Sequence, residues 1–259
     1  MAAASPVDDM SQAAQRWLDS LTADQKAKAT FAVQDDERLN WHFIPKERKG
    51  LTLKDMNSAQ RHLAYGLLAS GLSHRAYLKA TTIMSLEQVL QEIEGAGRKF
   101  PRDPELYHVS LFGSPSSTGT WGWRFEGHHL SFNMLIVNGK LASGAPSFLG
   151  ANPAQVRTGP RAGLRVLAAE EDLARDLLNS LSEAQRKQAI VDAKAPEDIL
   201  TVAARKAVLT DTRGITLDQL TGEQKKKARK LIKEYADRLR SDAVEKDMER
   251  SEEHTSELQ

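Results

Sequence analysis

The residues with the most chemical capacity in this 259-residue chain sit together in "WGWRFEGHHLSFNMLIV", Trp121 to Val137. His128 and His129 offer two imidazoles, Glu126 a carboxylate and Arg124 a guanidinium. Neutral imidazoles with a carboxylate suit a divalent metal such as Zn or Fe. Without a metal, the same set supplies a general base near neutral pH and a cation for an anionic group. On this reading His128 and His129 hold the ion, while Glu126 and Arg124 act as the catalytic pair of a hydrolase or oxygenase. The aromatic residues Trp121, Trp123 and Phe125 support a different activity: a non-catalytic module that stacks a small-molecule ligand, centred on Trp123. A third account is structural, with Glu126 paired to Arg124, one histidine ending a strand and the other buried and satisfied.

The spacing says how these groups are positioned. Apolar residues are odd-numbered before Gly127 (Trp121, Trp123, Phe125) and even-numbered after it (Leu130, Phe132, Met134, Ile136). A strand has period 2, so one residue must be absorbed between Phe125 and Leu130 if both sets face one core. A β-bulge or a tight bend does this, with Gly127 the residue suited to it. Both histidines then project toward the same non-core side. His108 joins them if its strand, "YHVSLFG", lies beside that of Trp121. Elsewhere, Arg157, Arg161 and Arg165 in "VRTGPRAGLR" form a candidate anion clamp, with a solvated basic loop as the plainer account.

Helices flank this centre. "LDSLTADQKAKA" from Leu18, "LKDMNSAQRHLA" from Leu53, "LNSLSEAQRKQA" from Leu178 and "LDQLTGEQKKKA" from Leu217 share one pattern. Thr22, Asn57, Ser182 and Thr221 can cap a first turn, and Gln25, Gln60, Gln185 and Gln224 can reach back from the third helical position. "SLEQ" at Ser85 repeats that box. The starts are unevenly spaced, which a solenoid does not allow, so the pattern reads as convergent use of one good helix start. Helices are expected near 9–20, 22–33, 57–71 and 85–95. A further one is expected at Asn152-Pro153, another from Ala168 to Leu181, and a last from Thr221 to Lys246. Between them come strands through 107–150, with Asn138-Gly139 as a hairpin turn. The fold expected is α+β, an antiparallel sheet between capped helices.

Composition narrows the classes. No apolar run approaches a membrane span, and a net charge of +1 gives no sign of a nucleic-acid partner. There is no cysteine, which excludes disulfides and thiolate chemistry and fits a cytoplasmic protein. The N-terminus lacks the pattern of a secretory signal. The last ten residues, "RSEEHTSELQ" (250–259), read as the in-frame translation of a sequencing adapter. The expectation is one α+β domain over 1–249, incomplete at its C-terminus.

"DERLNWHFIPKERKGLTLKDMNSAQRHLAYGLLASGLS", "DPELYHVSLFGSPSSTGTWGWRFEGHHLSFNMLIVNGK" and "FLGANPAQVRTGPRAGLRVLAAEEDLARDLL" resemble successive signatures of the bacterial family called Domain of Unknown Function 3500. The resemblance covers nearly all of residues 14–240, and it brings no assigned activity. It implies that members continue into a further β-rich segment bearing Asn-His-Ile-His, which would complete a metal site with Glu126, His128 and His129. His42, within "NWHF", matches the family better than His108, but the resemblance assigns a role to neither.

Overall fold

The structure is a computed structural model that describes residues 5–95, 97, 99–209 and 213–240. The tail 250–259 and the far end of the expected last helix lie outside the described residues. The chain divides into two compact units, one made of residues up to Val166 with those from Arg238 onward, the other of Leu167–Asp237.

The first unit begins with α1 (Pro6–Ser20) and α2 (Ala23–Ala29), capped by Ser5 and Thr22. Next come β1 (Thr30–Phe31), β2 (Leu51–Thr52) and a 3₁₀ turn over Leu53–Asp55. Helices α3 (Ser58–Gly71) and α4 (His74–Glu94) follow. The helix expected from Ser85 starts eleven residues earlier, at a Ser73 cap. No Pro or Gly interrupts His74 to Glu94, and the Ser85 hydroxyl donates back to the Thr82 carbonyl instead of capping.

The sheet is built from β3 (His108–Phe112), β4 (Trp121–Gly127), β5 (Leu130–Val137), β6 (Lys140–Ser143) and β7 (Ser147–Leu149). Strands β3, β4 and β5 are antiparallel, and β6 and β7 both pair with β5. The fold is α+β as expected, but the sheet is mixed. β1 runs parallel to β3, while β2 lies antiparallel along the same edge. The helix expected to start at Asn152-Pro153 is absent, the chain there running through bends.

The phase change at Gly127 is a tight hairpin. Gly127 pairs with Leu130, leaving His128-His129 as a two-residue turn. Odd residues of β4 thereby face even residues of β5: Trp121 opposite Ile136, Trp123 opposite Met134, Phe125 opposite Phe132. All six are buried. The left-handed backbone that the turn requires is taken by His129 (φ 57°), a residue type that tolerates it better than most. Gly127 serves a different purpose: a Cβ there would lie 2.3 Å from the Tyr107 ring.

The second unit holds α5 (Ala168–Ser180), α6 (Glu183–Ala189), a 3₁₀ turn over Leu217–Gln219 and α7 (Gly222–Ala236). The last helix ends ten residues short of the expected Lys246. Beyond it, Leu239 bridges to Leu72 in the first unit's own body.

The two units correct the reading of the capped starts as independent. Each unit carries two of them, and each pair is joined by the same clasp. In the first, Gln25 and Gln60 exchange amide hydrogen bonds of 3.2 and 2.8 Å, and Gln60 also donates to the Ser20 carbonyl and Gln25 to that of Asp55. In the second, Gln185 and Gln224 exchange bonds of 3.0 Å, with donation to Ser180 and Gln219. Even the flanking contact corresponds, Lys28 with Asp55 in one and Gln188 with Gln219 in the other. Helix α1 packs on α3 as α5 packs on α7. Four conjoint hydrogen bonds at matching positions exceed what a shared capping habit requires, so α1–α3 and α5–α7 are two copies of one helical module.

Candidate active site

The polar face of the central hairpin is sealed. Arg124 donates to the Glu37 carbonyl at 2.7 Å and pairs with the Glu37 carboxylate, both side chains being buried. Glu126 accepts from Arg48 Nε at 2.8 Å, from the His42 backbone N–H at 2.9 Å and from the Ser131 hydroxyl at 2.9 Å. Arg48 spreads its remaining donors over the carbonyls of Lys46, His42, Ile44 and Gly127. The segment from Asp36 to Arg48 therefore covers the face that the sequence suggests is open. Arg124 and Glu126 lie 3.8 Å apart at their nearest, but the lone pairs of Glu126 are committed to its three donors.

The histidines project past this seal, at the hairpin tip. Their ring centroids are 4.0 Å apart and the planes tilt by 35°. His128 Nδ1 lies 2.6 Å from Glu87 Oε1, on α4, and 3.3 Å from Arg102 Nη1. Arg102 holds Glu94 through Nε and Nη2 at 2.7 and 3.3 Å, which leaves Nη1 beside the imidazole. The shorter contact, to an accepting carboxylate, assigns the proton: Nδ1–H donates to Glu87, which leaves the Nε2 lone pair free in that tautomer. The backbone is fixed as firmly: Tyr107 OH donates to the His128 carbonyl at 2.8 Å, in the space Gly127 leaves open. His129 donates its N–H to the Phe43 carbonyl and accepts from Gly150 N–H, each at 2.8 Å. Burial, then the neighbouring His128 and Arg102, push the His129 imidazole down to about 4, so it is neutral at pH 7.

His128 forms part of the wall of a cavity of about 410 Å³. Arg48, Glu87, Arg102, Tyr107 and His108 join it there, with Pro45, Phe100, Pro101 and Leu106 as the apolar lining. Lys46, Glu47 and Asp103 complete the lining, and an apolar wall with convergent polar groups characterises small-molecule sites. Strand β3 does lie beside β4, with His108 opposite Glu126. Burial, then Arg48 and Arg124, lower the His108 imidazole to about 4, and its Nδ1 has no hydrogen-bond partner among the described residues.

The other singled-out residues are elsewhere. Trp121, Trp123 and Phe125 point into the core, where Trp123 packs against Gly71 and Met134; a ligand would have to open the core to stack on them. Arg161 donates to Ser85 and Gln88 on α4, tying its loop to that helix, and lines a separate recess of about 100 Å³. Arg157 is exposed and does not line it. Sequence reasoning missed Glu87, Arg102, Tyr107 and Arg48. Glu87 was concealed inside "SLEQ", where it looks like part of a cap.

Does the site fit a metal? Among the described residues no three His, Asp or Glu side chains converge. Glu126 is spent on Arg48, His42 and Ser131. Imidazole lone pairs lie in the ring plane, so two partly stacked rings direct them side by side instead of at one point. The described donors do not form a chelating set.

No curated protein and no solved structure shows significant similarity to the chain. A family model does match, over residues 3–259. The chain belongs to the family described as a protein of unknown function, DUF3500.

Proposed function

We propose that this chain is an enzyme acting on a small organic molecule bound in the 410 Å³ cavity, with His128 as its general base and acid. The observation that carries this is the 2.6 Å contact between Glu87 and His128 Nδ1 at the cavity wall. A carboxylate on one imidazole nitrogen fixes the tautomer and orients the other nitrogen toward a reacting proton. It also stabilises the imidazolium formed when that proton is taken, as the third member of a hydrolytic triad does. Tyr107 holds, through the His128 carbonyl, the turn that carries the ring. Neutral His108, whose Nδ1 has no partner among the described residues, is placed to bind the polar part of the ligand.

Diethyl pyrocarbonate, which acylates the free nitrogen of a neutral imidazole, tests the assignment. With modification read by mass spectrometry, His128 is expected to react and Glu87→Gln to slow it about tenfold, an order of magnitude typical of a lost orienting partner. An unreactive His128, or a rate indifferent to Glu87, would overturn it. Elemental analysis provides the second arm: a stoichiometric metal that His128→Gln removes would replace proton transfer with metal-assisted chemistry at the same residue.

A further inference from the structure

The two copies of the helical module differ in what lies on them. In the first, the residues just after α2 and just before the 3₁₀ turn are β1 and β2, which line one edge of β3 end to end. Thr30 pairs with Leu111 in parallel and Leu51 with Val109 antiparallel. The Phe31 carbonyl accepts from Gly113 N–H and Leu53 N–H donates to the Tyr107 carbonyl, each at 2.8 Å. Strand β3 thus closes the module, and Leu51, Leu53, Leu67 and Leu68 beneath the sheet are fully buried.

Alignment of the glutamine clasps places Ile190-Val191 where β1 stands and Ile215-Thr216 where β2 stands. The backbone is already extended there, at φ −84°, ψ 98° for Ile190 and φ −84°, ψ 157° for Thr216. Among the described residues, however, the Val191 carbonyl and the Leu217 N–H, which correspond to Phe31 and Leu53, make no backbone hydrogen bond. Ile190 is 49% and Val191 48% exposed. Ile232, which stands where Leu68 is buried, is 41% exposed. The unit's apolar core is small, with Leu181, Leu220 and Ala228 buried and Leu177, Ala189, Ile215 and Leu217 half covered. Units of this length seldom stand on so little.

We infer that Ile190-Val191 and Ile215-Leu217 form a strand-acceptor site, filled by one extended β-strand added in trans. What identifies the occupant is the first copy, where the same edge takes a strand with apolar residues two apart, Val109 and Leu111. An added strand would run parallel to Val191 and antiparallel to Ile215, satisfy the two open backbone groups and cover the exposed aliphatic residues. Residues 241–259 contain no two apolar residues at that spacing and do not match the pattern.

The test is hydrogen exchange on the full chain, with a peptide of residues 106–113, "LYHVSLFG", carrying terminal lysines for solubility. The expected result is at least tenfold slower exchange at Leu217 and its neighbours, unchanged exchange in α1–α3, and loss of the effect in Ile215→Lys with Val191→Lys. A scrambled peptide should do nothing. Unchanged exchange at millimolar peptide, or equal protection by the scrambled sequence, would overturn the inference. So would protection that rises with protein concentration alone, because a second copy would then be the occupant.

Discussion

The module made by α1, α2 and α3 and the one made by α5, α6 and α7 have the same clasp but are covered differently. In the first, the chain between α2 and the 3₁₀ turn leaves the module, crosses the sheet and returns. On the way it supplies Glu37, His42 and Arg48 to the buried polar face. In the second, the corresponding stretch from Asp192 is largely exposed. The lesson concerns where chemistry resides. The repeated part is a clamp of helices, whereas the cavity and its polar groups come from the sheet, from the excursion that seals it, and from α4 with the segment after it, which supply Glu87 and Arg102.

The largest way to break that contrast is to remove Arg48. Arg48→Met takes the nearest cation from the buried Glu126 carboxylate and leaves only Arg124, at 3.8 Å, at an expected cost of about 3–5 kcal/mol. Chemical denaturation followed at Trp121 and Trp123 reads it. A loss below about 1 kcal/mol would mean that the excursion does not hold the sheet. Unfolding of residues 167–237, followed by hydrogen exchange, should keep its midpoint.

Acid provides the next contrast. His108 and His129 have folded-state values near 4, below the ordinary 6.5, because burial opposes the charged ring. Folding therefore favours the neutral form. The associated stability is fully present above about pH 6.5 and is lost as pH falls toward 4, by on the order of 2–3 kcal/mol per histidine. Residues 167–237 contain no histidine, so their unfolding should show none of this slope. His129→Asn keeps a residue suited to the left-handed turn and should remove about half of the pH dependence. An unchanged profile in that variant would show that His129 does not titrate with folding.

The clasps themselves come third. Gln60→Ala and Gln224→Ala each strand a helix-start N–H and a helix-end carbonyl. Each should cost about 2 kcal/mol in its own unit and little in the other. Equal losses would confirm that the two clasps are energetically as well as geometrically equivalent, and a loss confined to Gln60→Ala would show that only the sheet-covered copy depends on its clasp.

These contrasts also show what was legible from residues alone. Each of the four clasped starts was visible as a cap, because capping is local: a hydroxyl or amide oxygen meets an N–H three residues on. Their pairing was not, because Gln25 meets Gln60 across 35 positions and nothing in either sequence marks the partner. The parity change at Gly127 announced a bend, and a bend is what His128-His129 forms. The polar residues of that hairpin were legible as alternating with the core face. Their burial was not, since it depends on Arg48 and Glu37 arriving from the excursion. Glu87, the partner of His128 at 2.6 Å, sits on a helix whose start at Ser73 offers no Leu–Leu signature. A long-range partner of a turn residue leaves no periodic trace.

The smallest predicted effect bears most directly on the difference between the copies. Gly71 ends α3 against the sheet, where a Cβ would stand 2.6 Å from the Trp123 ring. The corresponding position in α7 is Tyr235, 51% exposed. One module thus needs the smallest side chain where the other accommodates one of the largest. Gly71→Ala forces the Trp123 indole or the helix end to move, and overpacking of this kind costs about 1–3 kcal/mol. Its backbone φ is ordinary, so the cost is steric and not conformational. Tyr235→Ala should change stability by no more than about 0.5 kcal/mol in the chain alone. Thermal melts of the two variants separate the cases. If Gly71→Ala is neutral, the helix is not seated on the sheet as described. If Tyr235→Ala is costly, the second module's face is already covered without an added strand.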